Sequence, residues 1–154
     1  MDSNSKRQSL ASLSLYSRTL SVDELKLLVP FPPEGSREKG ASRGRHPSNV
    51  QPHSVVVFES HVSRSEDLRA HIEDLLTRLA PAKDAVRAFA DRARSEDFQS
   101  PTGLPYAPVI LRLFVRNTDG IIGLDVSNDE LKAIFDLGAV LALELETEDD
   151  IDAE

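Results

Sequence analysis

The sequence predicts an α+β domain: a single, mainly antiparallel sheet of about five strands with helices packed on one face. Three observations predict it. Strand-like alternation or β-branched runs recur at Leu10 to Tyr16, Ser54 to Ser60, Val109 to Arg116, Ile121 to Val126 and Val140 to Thr147. Three Ser-x-x-Glu capping boxes, at Ser21, Ser63 and Ser127, open apolar stripes of helical spacing. The resulting order is strand, helix, strand, two helices, hairpin, helix, strand, and the 154 residues suffice for one core.

Leu13 and Leu15 share one face of the first strand, with Ser12, Ser14 and Tyr16 on the other. Val22, Leu25, Leu28 and Val29 form the first helical stripe, of about two turns, which Pro30 stops. Residues 30–53 hold five Pro and three Gly and predict a long loop without a packed element. The run Val55-Val56-Val57-Phe58 is apolar on both faces, as a central strand is. Leu68, Ile72, Leu75, Leu76 and Leu79 form the next helix. Pro81 starts or kinks another, with Ala85, Val86, Phe89 and Ala93 inward. Asp97 to Pro108 reads as loop. Val109, Leu111, Leu113 and Val115 alternate with Ile110, Arg112, Phe114 and Arg116, and a turn at Asn117 to Gly120 predicts a hairpin with Ile121 to Val126. Leu131, Ile134 and Phe135 mark the last helix and Gly138 its C′ residue. In the final strand Leu141, Leu143 and Leu145 are expected inward and Glu144 and Glu146 outward. Residues 1–9 read as a flexible start, 10–147 as the domain and 148–154 as a disordered acidic tail. The segments starting at Ser21 and Ser127 also echo each other as a weak repeat.

Charge is unevenly placed. The formal net charge of −8 arises mostly from seven acids in the last eleven positions, whereas the first fifty residues carry eight basic and five acidic groups. An acidic tail repels a phosphate backbone and favours a basic protein partner. With no Cys, thiolate catalysis and cysteine-ligated metal are excluded, and a reducing, cytoplasmic compartment is expected. No run is long enough for a membrane helix, and no export signal precedes the domain.

Several stretches resemble a family of small bacterial proteins described only as domain of unknown function number 4279. They are Leu13-Ser14-Leu15-Tyr16 leading into Ser21-Val22-Asp23-Glu24-Leu25, Arg37-Glu38-Lys39-Gly40, Phe58-Glu59-Ser60 with the Leu68 to Pro81 helix, Glu130-Leu131, and Leu137-Gly138-Ala139. The family usually carries a tryptophan in the second strand, and this chain has none. The resemblance implies a fold and a bacterial source; it transfers no functional residue.

Catalytic motifs fail on context. Gly40-Ala41-Ser42-Arg43-Gly44 matches a nucleophile elbow in letters, but loop flanks it on both sides. Gly35 to Gly40 begins like a phosphate loop, yet Ala41 stands where its lysine belongs. His46, His53, His61 and His71 lack metal-site spacing, and the tail acids lack a calcium loop. His71 is expected partly buried and neutral beside its helix stripe.

What remains is contact chemistry. Arg37, Lys39, Arg43 and Arg45 on the Pro/Gly loop could gather on an anion or an acidic patch, but no interleaved aromatics favour nucleic acid. Tyr16, Arg112, Phe114 and Arg116, with Glu144 and Glu146, are expected on the sheet face that helices leave open. These ten residues are the expected partner-binding set. The sequence thus points to a non-catalytic protein-binding module, most of all an immunity, antitoxin-like or other inhibitory protein with a basic partner. It implies no cofactor, no metal and no membrane, disfavours nucleic acid, and admits a homodimer. The alternative is a small-anion or metabolite sensor, or an enzyme, that uses residues 37–53 as a lid.

Overall fold

The computed structural model describes residues 7–95, 107–117 and 124–146. Strand β1 (Arg7–Ser17) lies at the middle of an open five-stranded sheet. On one side it pairs antiparallel with β3 (Ser54–Glu59), which pairs antiparallel with the short edge strand β2 (Gly35–Arg37). On the other side β1 pairs antiparallel with β4 (Val109–Asn117), and β4 pairs in parallel with the opposite edge strand, β5 (Val140–Glu146). The order is β2-β3-β1-β4-β5, an α+β architecture with one mixed sheet.

The pleat divides the sheet into two chemistries, because successive side chains point to opposite faces. Ala11, Leu13 and Leu15 of β1, Val56 and Phe58 of β3, and Val109, Leu111, Leu113 and Val115 of β4 join the core. Four helices supply the other side of it. Helix α1 (Val22–Lys26) contributes Val22 and Leu25. Helix α2 (Leu68–Leu79) contributes Leu68, Ile72, Leu75 and Leu79. A 3₁₀ turn at Ala80–Ala82, started by Pro81, leads into α3 (Lys83–Ser95), which buries Val86, Phe89, Ala90 and Ala93. Helix α4 (Asn128–Asp136) adds Ile134. Burying each large aliphatic side chain contributes about 1.5–3 kcal/mol, so this layer dominates the stability of the fold. No residue of the opposite sheet face belongs to that cluster.

Local chemistry fixes the helix ends. Ser21 and Ser127 form two of the three expected capping boxes, each accepting from the backbone N–H of a glutamate whose carboxylate returns the bond. At the end of α4, Gly138 takes a φ of +70°, and an added Cβ there would lie 2.8 Å from the Cβ of Ala90. Backbone handedness and close helix packing therefore both require glycine.

Several expectations change. Strand β1 already begins at Arg7, inside the stretch expected to be a flexible start, and Ala85, expected inward on α3, is exposed. Helix α1 closes at Lys26, so Leu28 and Val29 pack from outside it. Ser63 does not cap α2; Asp67 does, accepting from Ala70 N–H at 2.9 Å, while the Ser63 hydroxyl bonds Ser65. An ionised carboxylate at the N-terminus suits the helix dipole better than a hydroxyl one turn earlier. The expected β4 hairpin partner is absent where it can be seen: Leu124–Val126 are not strand, and residues 118–123 lie outside the described ones. Both edges of β4 are already bonded, to β1 and β5, which leaves no edge for a successive strand. The Pro/Gly region also contains ordered elements, β2 and the arm described below. Finally, Phe135 is 69% exposed, because Ile134 is the α4 residue that enters the core. Residues 1–6, 96–106 and 147–154, with the loop and the tail expected there, lie outside the described residues.

Candidate partner-binding face

The face without helices is built from the alternate residues of the same strands. Register places Arg37, Val55 and Tyr16 in one row across β2, β3 and β1. A second row holds Gly35, Val57, Ser14, Ile110 and Val140, and a third holds Glu59, Ser12, Arg112 and Ala142. Leu10, Phe114 and Glu144 form a fourth, and Gln8, Arg116 and Glu146 a fifth. Tyr16, Arg112, Phe114, Arg116, Glu144 and Glu146 thus share this face, as alternation predicted, and Arg37 joins them.

The charged groups are held by their neighbours. Nη1 of Arg112 donates to Tyr16 Oη at 3.0 Å and to Ser14 Oγ at 3.2 Å, with its guanidinium carbon 5.9 Å from the tyrosine ring centroid. Arg116 reaches one oxygen of Glu146 through Nε at 2.7 Å and Nη2 at 2.5 Å. A half-exposed pair of this kind adds at most about 1 kcal/mol to stability, but it fixes where the guanidinium stands. Phe114 lies between the two arginines in sequence and, like them, is partly buried. This row of fixed cations with an aromatic group can meet a complementary surface with little loss of side-chain entropy.

The basic segment is an arm. Ser42 bridges Val50 antiparallel, five residues on from Arg37 and five back from its partner Val55, so the arm keeps the register of the β2–β3 ladder. Arg43 N–H donates to Asn49 O at 2.7 Å and Gln51 N–H to Ala41 O at 2.8 Å, and Asn49 N–H closes a turn on His46 O with Pro47 second in the turn. Gly40 and Gly44 have φ of +83° and +79°. The two glycines of the elbow-like motif are therefore explained by backbone handedness, and Ser42 Oγ donates to Gly44 O.

The base of the arm is tied to the body. Glu38 accepts from Val22 N–H at 3.0 Å and from the Ser54 hydroxyl at 2.8 Å. These two bonds hold its carboxyl below the usual carboxylate value. Lys39 Nζ donates to Arg18 O at 3.1 Å. His53 packs edge-on to Tyr16 with centroids 6.4 Å apart; burial, and then the charges of Arg18 and Lys39, lower its pKa. Arg37, Lys39, Tyr16 and Arg112 thus belong to one corner of the face. Arg43 and Arg45 do not converge with them: they lie farther out on the exposed arm, beyond the Ser42–Val50 bridge. Glu144 and Glu146 occupy the opposite edge. Arg18, Glu38 and His53 were missed by sequence reasoning; the only signal was their closeness to Tyr16 and Lys39 in the chain.

The other reactive side chains are dispersed. His46 lies in the arm's turn, and His61 hydrogen-bonds Glu34. His71 is wholly buried, more deeply than expected, and shares a 2.7 Å hydrogen bond with Ser60 Oγ inside the core. Among the described residues no group of three or more His, Asp or Glu could hold a metal ion, and no helix is long and apolar enough to cross a membrane. An open groove of about 640 Å³ runs along Lys26 to Ser36, with none of the arm's arginines in its lining. The family model described as Domain of unknown function (DUF4279) matches residues 7–148. No curated protein and no solved structure matches the chain.

Proposed function

Since the chain belongs to the DUF4279 family, whose description assigns no activity, we propose from its own geometry that it is a non-catalytic protein-binding module of the immunity or antitoxin-like, inhibitory kind. One observation carries the reading: a sheet face outside the core presents fixed arginines, two aromatics and two glutamates, and its charge is divided across it. The partner is a protein of net positive charge that meets the acidic β5 side, toward which the chain's excess negative charge steers it. The basic arm at the other end meets an acidic patch on the same partner. The cytoplasm of a bacterium suits such a role, and the cysteine-free sequence fits a reducing compartment.

Affinity purification of the full chain at native expression, followed by mass spectrometry, tests this. One basic protein in stoichiometric amount is expected, lost with Glu144→Lys plus Glu146→Lys, kept with Lys132→Ala on α4, and inhibited by the chain in its own assay. Retention of the partner by the charge-reversed variant overturns the proposed face. Recovery of no stoichiometric protein, together with a rise in melting temperature on adding a metabolite, overturns the reading in favour of a ligand sensor.

A further inference from the structure

The two edges of the sheet are unlike. Strand β2 offers three residues, whereas β5 pairs with β4 along all seven of its own and, among the described residues, nothing bonds its outer edge. An unpaired edge is a template for another strand, and proteins blunt such edges with charged side chains, Pro or a bulge. The β5 sequence Val-Leu-Ala-Leu-Glu-Leu-Glu contains no Pro or Lys and its pairing to β4 is unbroken; its two charges, Glu144 and Glu146, alternate with the leucines and lie on the open face. On its core side Leu143 and Leu145 remain 45% and 47% exposed, although alternation aims them inward.

We infer that the outer edge of β5 takes β5 of a second copy of this chain, antiparallel about a two-fold axis at Leu143, to join two sheets into one. The sequence of the strand selects the occupant and the register. With the axis at Leu143, Leu141 faces Leu145 of the second copy and Leu143 faces its own counterpart, which closes the exposed leucines into one apolar seam. On the other side Glu144 faces Ala142 and Glu146 faces Val140, so no carboxylate stands directly opposite another. An axis at Glu144 would set that residue against itself. An axis at Ala142 would leave Glu146 overhanging the α4 end, with Leu145 opposite Ala139. At the ends of the seam antiparallel pairing brings Glu146 to the start of the other β5, where Arg94 donates to Gly138 O at 2.5 Å and Arg87 to Phe135 O at 2.9 Å, both guanidinium groups also ion-pairing with Asp91. In the joined sheet the glutamates of both copies form the centre of the open face and the two basic arms its far ends. The inference stands whether or not a second protein binds that face.

Light scattering of the full chain over a concentration series, with three variants, decides it. A mass of twice the monomer is expected for the wild type. Leu143→Glu places like charges on the axis and removes two leucines from the seam, weakening dimerisation about 100-fold. Its circular dichroism should stay near wild type, because the side chain is already half exposed, while its melting temperature should lose the dependence on protein concentration that a dimer shows. The chain has no Cys, so Leu143→Cys is a clean reporter: oxidation should give a disulfide-linked dimer, whereas Lys132→Cys should not crosslink. A wild type that is monomeric throughout the series overturns the inference. So does a dimer unaffected by Leu143→Glu, or β5 captured only in complex with a different protein.

Discussion

Acidification offers a test of the core that needs no knowledge of the partner. His71 on α2 has no solvent exposure, and its Nδ1 shares a 2.7 Å hydrogen bond with Ser60 Oγ, which also accepts Ala11 N–H at 3.2 Å. Its Nε2 has no partner of good geometry. Burial pushes the ring below its usual 6.5. Arg64 adds to that, and the Ser63 backbone, Asp74 and Glu66 only partly oppose it. His53 shifts in the same direction for the same first cause. In the unfolded chain both rings bind a proton near pH 6.5, whereas in the folded chain they do so only at lower pH. Stability is therefore complete above about pH 6.5 and falls as pH drops toward the folded values, by up to about 1.4 kcal/mol per pH unit for each ring. Urea unfolding at about pH 7.5 and about pH 5.5 measures the slope. His71→Asn keeps a polar group for Ser60 but does not titrate, so its stability should fall less steeply by as much as one ring's share. Equal slopes in the variant and the wild type would refute the reasoning, as would a wild type whose stability is flat over that interval.

Four further substitutions check the local arguments. Gly138→Ala forces both a positive φ and a 2.8 Å approach to the Ala90 Cβ, and should cost about 2–4 kcal/mol by urea unfolding. Asp67→Ala removes the cap of α2 and should cost about 1 kcal/mol, whereas Ser63→Ala should change the unfolding midpoint little. Glu38→Ala frees Val22 N–H and the Ser54 hydroxyl, so limited proteolysis should cut within residues 40–51 sooner while global stability changes little.

How much was legible follows from what kind of signal each element leaves. The long alternations of β1 and β4 and the Val55–Phe58 run declare themselves because burial on one or both faces writes a period into the sequence. The common face of Tyr16, Arg112, Phe114, Arg116, Glu144 and Glu146 follows from that period alone. The arm leaves no such record: residues 37–50 are all exposed, so its ladder is held by backbone bonds and glycine handedness rather than apolar spacing. Its Pro and Gly therefore read as loop. The false hairpin after β4 has another source. Nearness in sequence favours pairing with the next strand, but which strand fills an edge is a property of the whole sheet, and β5 arrives only after α4. Ser63 shows the limit of capping patterns, since a Ser-x-x-Glu box stands in the sequence one turn before the point where Asp67 actually caps the helix. The meeting of Arg18, Lys39 and His53 beside Tyr16 depends on how the arm's base folds back, which no local pattern encodes.

The account stands most directly on whether the open sheet face is the surface that a partner touches. Calorimetric titration of the purified partner into wild type, Arg112→Glu, Glu144→Lys and Lys132→Ala measures this. Affinity should drop at least about 100-fold for the first two variants and stay unchanged for the third, with the wild-type affinity weakening as salt is raised. Equal affinities across all four proteins would contradict it.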